Sequence, residues 1–243
     1  VIALITGSEG SVGKALTPVL EARGDTVHGL DILTGLDILD ELALRSAVQL
    51  AQPDVIFHCA GAKHAPEGEV EPWDATRINV EGTRNVLQAA PRGCRVVLTS
   101  TCKACNPETV YGATKLIAER LMLNAGQGVA RFYNVREASG NVFEIWARMQ
   151  PPLPATSCYR YFITMPQAVA LLLKVAQMPS GRYTLDPGEA VCMIDEAAAL
   201  VGRDNVQIMQ PRRGDRLREL RIGGGESLVP LEGGVERVYS RHD

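Results

Sequence analysis

The hydrophobic pattern opens on an apolar run, Val1 to Ile5, that meets a stretch punctuated by glycine from Thr6 to Gly13. Val12, Leu16, Val19 and Leu20 then recur at helical spacing, predicting an amphipathic helix that contains Pro18 and is kinked by it. A second short run, Thr26 to Leu30, ends on Asp31. The order is therefore strand, glycine turn, helix, strand, acid. Because the chain opens inside a strand, a few residues are expected to precede Val1. Further along, Asp54 to His58 and Arg95 to Ser100 read as buried strands. Between them, Pro72 to Ala90 reads as a helix with Ala75, Ile78, Gly82, Val86 and Ala89 on one face. Helices are also predicted over Tyr111 to Asn124 and Pro166 to Gln177, a strand over Val129 to Val135, and a loop at Pro151 to Pro154. Strands alternating with helices imply an α/β fold, a Rossmann-like doubly wound parallel sheet. The pattern loosens after Val135. Residues 1–135 are thus expected to form a dinucleotide-binding domain, and 136–243 a small C-terminal substrate-binding part interleaved with it.

Composition narrows the class. The 243 residues are 46% hydrophobic and 22% charged, which is ordinary for a globular protein with a core. A net charge of -3 argues against nucleic acid as a partner. No apolar run reaches membrane-spanning length and no signal peptide is recognisable, so a cytoplasmic protein without a membrane partner is expected. The six cysteines are spread through the chain and read as reduced thiols. Cys102 and Cys105 form a C-x-x-C, but no second pair follows at zinc spacing, and no metal site is expected.

The chemistry begins at Gly7-x-x-Gly10-x-x-Gly13. In such a turn the first glycine allows the tight bend, the second lets backbone approach a pyrophosphate, and the third lets the helix pack close to the strand. Phosphates then sit at the positive helix N-terminus, with Ser8, Ser11 and Val12 filling the turn. Asp31 follows Gly13 at the end of the next strand, where a carboxylate accepts hydrogen bonds from the adenosine ribose and repels a 2′-phosphate. No Arg or Lys follows in Ile32 to Gly35, so NAD is favoured over NADP.

Together with Tyr111-Gly112-Ala113-Thr114-Lys115, this spacing resembles the extended short-chain dehydrogenase/reductase family. Four stretches resemble, more narrowly, the nucleotide-sugar 4,6-dehydratases of bacterial polysaccharide synthesis: Phe57 to His64, Ser100 to Pro107, Arg160 to Thr164, and Arg212-Arg213-Gly214-Asp215. The resemblance covers nearly the whole chain. It implies that Asp37, Ile38, Cys59, Ala60 and Gly61 also surround NAD, that Thr101 binds the hydroxyl being oxidised, and that Asn79 braces the catalytic strand. Tyr111 and Lys115, four apart, share a helix face. Lys115 is expected to lower the phenol pKa from about 10, making Tyr111 the base that takes the hydroxyl proton. Lys115 would also hold the nicotinamide ribose. Lys63, His64, Asn134, Arg160 and Arg212 match positions the family uses around its substrate. A homodimer through the Tyr111 helix is compatible with the resemblance.

Position 102 departs from the family. The resembling dehydratases place there an Asp that protonates the leaving 6-hydroxyl, followed by a Lys or Glu that removes the C5 proton; here Cys102 and Lys103 occupy those places. A thiol of pKa about 8.5 is protonated at neutral pH and can serve as an acid. For Lys103 to act as a base its pKa must fall by roughly three units from about 10.4, which burial beside NAD would supply. The Thr101-Cys102 pair also resembles the sugar 5,6-dehydratase type of tunicamycin biosynthesis. The leading expectation is an NAD-dependent dehydratase, a carbon-oxygen lyase, that oxidises C4, deprotonates C5, expels the C6 hydroxyl and yields an exocyclic 5,6-ene in specialised metabolism such as antibiotic biosynthesis. Alternatives are a UDP-sugar 4,6-dehydratase, with or without C5 epimerisation, and a non-catalytic NAD-binding regulator. The stretch between Asn134 and Arg160 is shorter than in the resembling enzymes, and bulky Tyr133 replaces a glycine. Both features point to a smaller substrate, a nucleoside or a sugar without the diphosphate.

Overall fold

The computed structural model describes residues 1–63, 65–212 and 215–240. Strand β1 (Ile2–Thr6) leads through the glycine turn into helix α1 (Ser11–Ala22), and β2 (Thr26–Leu30) returns parallel to β1. After α2 (Glu41–Ala51), β3 (Val55–His58) crosses to the other side of β1, and β4 (Arg95–Thr101) and β5 (Gly128–Phe132) extend the sheet in parallel. This reversal between β1 and β3 opens a crevice at the carboxyl ends of the strands, the usual ligand position in such sheets.

The expected helix over residues 72–90 is present but not uniform. It runs as α4 (Pro72–Thr76), a π-helical segment (Arg77–Glu81) and α5 (Gly82–Ala89), following the short α3 (Ala65–Val70). Helix α6 (Val110–Asn124) begins one residue before Tyr111, with the Thr109 side chain accepting from the Gly112 N–H as its cap.

The strand expected over 129–135 divides at Tyr133. Beyond β5, the pair Asn134–Val135 (β6) leaves the main sheet and joins β9 (Phe162–Ile163). The Tyr133 ring, packed on Tyr161, lies at the break. Pro151 to Pro154 is not wholly loop: β7 (Leu153–Thr156) pairs in parallel with β12 (Val206–Met209). Two further short strands, β8 (Tyr159–Arg160) and β11 (Val191–Cys192), pair with each other. Helices α7 (Val142–Ala147) and α9 (Met193–Val201) pack with β7 around Trp146, Leu153 and Ala197 to form a small separate core.

The C-terminal part also returns to the main sheet. Helix α8 (Met165–Gln177) leads into β10 (Gly181–Leu185), which is parallel to β5, and β14 (Val235–Ser240) and β13 (Glu226–Pro230) complete the edge in antiparallel fashion. The order across the eight strands is β13-β14-β10-β5-β4-β3-β1-β2. One face buries Leu16 and Leu20 of α1 with Leu171, Leu172 and Val175 of α8; the other buries Leu44 and Val48 of α2 with Val86, Ala118 and Met122 of α5 and α6. Apolar burial on both faces is what a parallel sheet requires. Beneath the site, Arg131 is bonded to Glu119 of α6 and Glu226 of β13, and Arg182 also meets both carboxylates. Among the described residues, no helix is long and apolar enough to cross a membrane.

Candidate functional site

At the switch point lies a cleft of about 670 Å³, lined from the glycine turn to Asn141. The turn is built around backbone contacts that exclude side chains. Gly7 has φ +73°, and a Cβ there would stand 2.6 Å from the Ala60 nitrogen. A Cβ on Gly13 would stand 2.4 Å from the Gly7 carbonyl oxygen. Gly10 caps α1 without any side-chain hydrogen bond, so the first N–H groups of the helix remain available to an anion.

Most of the residues expected around a dinucleotide meet here. Gly7, Gly10, Ser11, Val12, Gly13, Asp31, Asp37, Ile38, Cys59, Ala60 and Gly61 all line the cleft. Asp31 accepts hydrogen bonds from the Glu9 N–H (2.9 Å) and the Leu33 N–H (2.9 Å), which fix its carboxylate at the end of β2. Asp37 is oriented in the same way by the Leu39 N–H. Ser8 is the exception. It is buried outside the cleft with its hydroxyl packed toward Gly29, because a close approach of the first turn to β2 needs a small residue there. The loop 138–141 closes the cleft from above: the Ser139 N–H donates to Ser11 Oγ (2.8 Å), and Lys63 Nζ donates to the Ser139 carbonyl (2.9 Å). This loop was not foreseen as part of the cofactor side.

Thr101, Lys103, Tyr111 and Lys115 also line the cleft. The Thr101 hydroxyl accepts the Lys103 N–H at the turn after β4 and lies beside the Tyr111 phenol. Burial raises the phenol above its ordinary value, and Lys103 and Thr101 oppose that. The cation acting on Tyr111 is thus Lys103, whereas Lys115 was the one expected. Lys115 is itself lowered to about 8 by burial, opposed by Glu119 and Cys59. Its side chain is mostly buried yet lines the cleft, an arrangement suited to a ribose. Behind it, Asn79 donates to the Ala62 carbonyl and to Thr114, tying β3's extension to α6.

The acid and base expected at positions 102 and 103 are not what the structure places there. Cys102 is 1% exposed and packs in the core with Tyr133 and Val135, outside the cleft. Burial pushes its thiol up to about 12, so it stays protonated but does not face a substrate. Lys103 carries no depressed pKa. Burial would lower it, but Glu219 at 2.9 Å outweighs that and holds it above the ordinary lysine value. Glu219 is the residue that sequence reasoning missed. Its carboxylate accepts from Lys103, from Asn134 Nδ2 (2.7 Å) and from the Tyr161 N–H (3.2 Å), with Arg160 Nε at 3.6 Å. Nothing local marks it, since Arg216 to Arg221 reads as a charged surface stretch.

On the substrate side, Lys63 and Asn134 line the cleft. Arg160 does not; its guanidinium is used by the Arg216 carbonyl, Asp215 and Glu219. Arg212 is also away from the cleft, exposed beside Asp215. Tyr133 lines the wall without projecting freely, because its ring packs on Tyr161 and its hydroxyl meets Arg221. His64, Arg213 and Gly214 lie outside the described residues. Among the described residues, no cluster of side chains suited to a metal is present.

Comparison with known proteins places this geometry. The chain is 34% identical, over 237 residues and 82% of its length, to the probable polysaccharide biosynthesis protein EpsC of Bacillus subtilis, of which it spans 40%. It is 27% identical, over 98% of its length and 81% of the relative, to the inverting UDP-N-acetylglucosamine 4,6-dehydratase of Campylobacter jejuni. In fold it is similar to the UDP-glucose 4-epimerase of Thermus thermophilus solved with NAD, with a TM-score of 0.79, 21% identity, and coverage of 90% of this chain and 89% of that one. A family model described as polysaccharide biosynthesis protein matches residues 26–230, more than four-fifths of the sequence. With its doubly wound sheet, glycine turn and Tyr111/Lys115 helix, the chain belongs to this family of extended short-chain dehydrogenases/reductases.

Proposed function

We propose that the protein is an NAD-dependent sugar dehydratase acting on a hexosyl substrate. The observation that carries this reading is the convergence of Thr101, Tyr111 and Lys115 at the end of β4, in the same cleft as the uncapped N-terminus of α1 and the Asp31 carboxylate. NAD, when bound, supplies the hydride acceptor that turns a sugar C4 hydroxyl into a ketone and returns the hydride later. Gly7, Gly10, Gly13 and the first N–H groups of α1 hold its phosphates, Asp31 the adenosine ribose, and Lys115 the other ribose. Thr101 orients the C4 hydroxyl, and Tyr111 takes its proton. The ketone acidifies the C5 hydrogen, and loss of that proton together with the C6 hydroxyl as one water gives a 5,6-ene conjugated to it. Lys103 and Asn134 line the end of the cleft where those atoms would lie.

The exocyclic 5,6-ene remains the favoured product. Support comes from position 102, where the Asp of the resembling 4,6-dehydratases gives way to a thiol turned into the core, the Thr-Cys pairing that resembles the 5,6-dehydratase type. The 4-keto-6-deoxy sugar is the second reading, supported by the Campylobacter relative. Because Arg160 and Arg212 are engaged away from the cleft, a hexosyl nucleoside is to be tried beside sugar nucleotides.

The test is turnover of UDP-N-acetylglucosamine, UDP-glucose, dTDP-glucose and a hexosyl uridine with NAD, read by mass spectrometry as loss of water. Tyr111→Phe should abolish turnover and leave NAD binding intact. With substrate deuterated at C4, label back at C4 identifies the ene and label at C6 the deoxy sugar. A wild-type protein that binds NAD but dehydrates none of the four would refute the proposal in favour of an NAD-binding regulator.

A further inference from the structure

Glu219 sits where no part of the proposed chemistry requires a carboxylate, yet it is buried and almost fully used. Its two oxygens accept from Lys103 Nζ, Asn134 Nδ2 and the Tyr161 N–H, and Arg160 Nε stands at 3.6 Å. Two of these partners, Lys103 and Asn134, line the cleft, whereas Glu219 itself does not. The carboxylate therefore grips cleft-facing groups from behind. Lys103 also donates to Asn134 Oδ1 (3.3 Å), so the three side chains close a triangle.

The surrounding segment is fastened in a way that delivers this one side chain. Arg216 donates to the Cys105 carbonyl (2.9 Å) and pairs with Glu108 (3.2 Å), tying residues 216–221 to the loop that follows Lys103. The Glu219 N–H donates to the Tyr159 carbonyl, and the Tyr159 N–H to the Leu217 carbonyl. The groups that bear on the Lys103 charge are Glu219, Cys102 and Tyr111, with Arg160 beyond the carboxylate. Of these, only Glu219 is a carboxylate. Lys103 is half-buried and Glu219 buried, and an ammonium bonded to a buried carboxylate stays charged, because separating the pair leaves that carboxylate uncompensated.

We propose that Glu219 is a positioning residue of the site: it fixes Lys103 and Asn134 toward the substrate's C5–C6 end and holds Lys103 as a permanent cation. Lys103 then serves as a hydrogen-bond donor to substrate oxygens, not as the base that its place in the sequence suggests. This inference rests on the proposed dehydratase reading for its catalytic meaning, but its structural half can be tested without any substrate.

The chain has only five lysines, so the Nζ of Lys103 can be followed by nitrogen-15 NMR in the intact protein, assigned through Lys103→Arg. In the wild type Lys103 should titrate above the ordinary lysine value of about 10.4. In Glu219→Gln it should fall below that value, and in Glu219→Asp it should return part of the way, with NAD binding unchanged in both. A wild-type Lys103 at or below the ordinary value, or one indifferent to Glu219→Gln, overturns the assignment. If Glu219→Gln does not fold, Glu219→Asp carries the comparison, and an unshifted Lys103 there counts against the proposal. With UDP-N-acetylglucosamine as probe, Glu219→Gln should keep reduction of NAD by the C4 hydroxyl while loss of water across C5 and C6 drops at least about a hundredfold. Equal loss of both steps makes Glu219 merely structural. Absence of NAD reduction in the wild type would count against the proposed function alone, leaving the Lys103 titration to decide the role of Glu219.

Discussion

Substituting Gly7 by Ala tests whether the first turn is shaped by a backbone-to-backbone contact. Two costs follow from its geometry. At φ +73° an L-residue pays about 1–2 kcal/mol for the left-handed conformation. The added Cβ would also meet the Ala60 nitrogen at 2.6 Å, Ala60 Cα at 2.8 Å and the Cys59 carbonyl carbon at 2.8 Å. None of these can swing aside as a side chain would. Both sides are pinned, by Gly7 N–H to the Leu30 carbonyl (2.8 Å) and Cys59 N–H to the Thr6 carbonyl (3.0 Å). Overpacking of this kind costs about 1–3 kcal/mol, so the total is about 2–5 kcal/mol. For a chain of this size that is a fall in Tm of roughly 4–20 °C. Gly24→Ala is the control, since Gly24 has φ +81° with no atom within 4 Å of a Cβ and should incur the conformational cost alone. Urea unfolding measures the stability of both variants, and fluorescence titration their affinity for NAD. Gly7→Ala should bind NAD at least about tenfold more weakly, the equivalent of 1.4 kcal/mol, while Gly24→Ala binds normally. Equal destabilisation with unchanged NAD affinity in both would refute the reasoning.

Three further outcomes follow from buried groups. His58 is bonded to Thr6 (2.7 Å) and Thr83 (3.0 Å), and burial, then Lys115, lowers its pKa to about 3. Its stabilising contribution is complete above the unfolded value of about 6.5 and is lost as pH falls toward 3, at up to about 1.4 kcal/mol per pH unit. Unfolding free energies measured from pH 7 to 4 should therefore lose close to one proton's worth of slope in His58→Gln; an unchanged slope would mean that His58 is not the group titrating. Glu226 lies between Arg131 and Arg182, and although burial pushes it up, its bonds to Arg131 hold it below the usual carboxylate value. Glu226→Gln should destabilise by about 3–5 kcal/mol because two buried guanidinium groups lose a counter-charge, and a urea midpoint like the wild type's would contradict this. Cys102→Ala should lower stability by about 0.5–3 kcal/mol through lost packing, yet leave dehydration at the wild-type rate. A selective loss of elimination with C4 oxidation intact would restore the acid role to the thiol.

What was legible in the sequence is what short-range pattern encodes. Gly7, Gly10, Gly13 and Asp31 lie within one βαβ unit, so their spacing alone carries the turn, the helix start and the carboxylate. Tyr111 and Lys115 are one helical turn apart and needed only a helix to share a face. Ser8 lies outside the cleft because its hydroxyl packs toward Gly29, a contact between the turn and β2 that local spacing does not encode. Cys102 lies outside it for a related reason. Thr101 and Lys103 face the cleft at the end of β4, and the residue between them points into the core.

The state of Lys103 was illegible for a different reason, and it is the one that bears on function. Its position after Thr101 suggested a base, on the premise that burial would dominate its electrostatics. Burial does act to lower its pKa, but the deciding group arrives from Glu219, 116 residues later, on a segment whose neighbours are arginines and leucines. Arg160 shows the same effect with the sign reversed: expected beside the substrate, it is consumed by Asp215 and Glu219 of that segment. One carboxylate thus changes two assignments at once, keeping Lys103 charged inside the cleft and Arg160 occupied outside it. The cleft is lined by Lys63, Lys103 and Lys115 but not by Arg160 or Arg212. Recognition by separate ammonium donors, with neither of those forked guanidinium groups, suits hydroxyls and single oxygens better than a bidentate diphosphate. The prediction is that a hexosyl uridine competes for the cleft against UDP-glucose within about tenfold in Kd, about 1.4 kcal/mol; a preference of a thousandfold or more for the diphosphate, measured by calorimetry in the presence of NAD, would show that the phosphates are held by groups this reasoning has not credited.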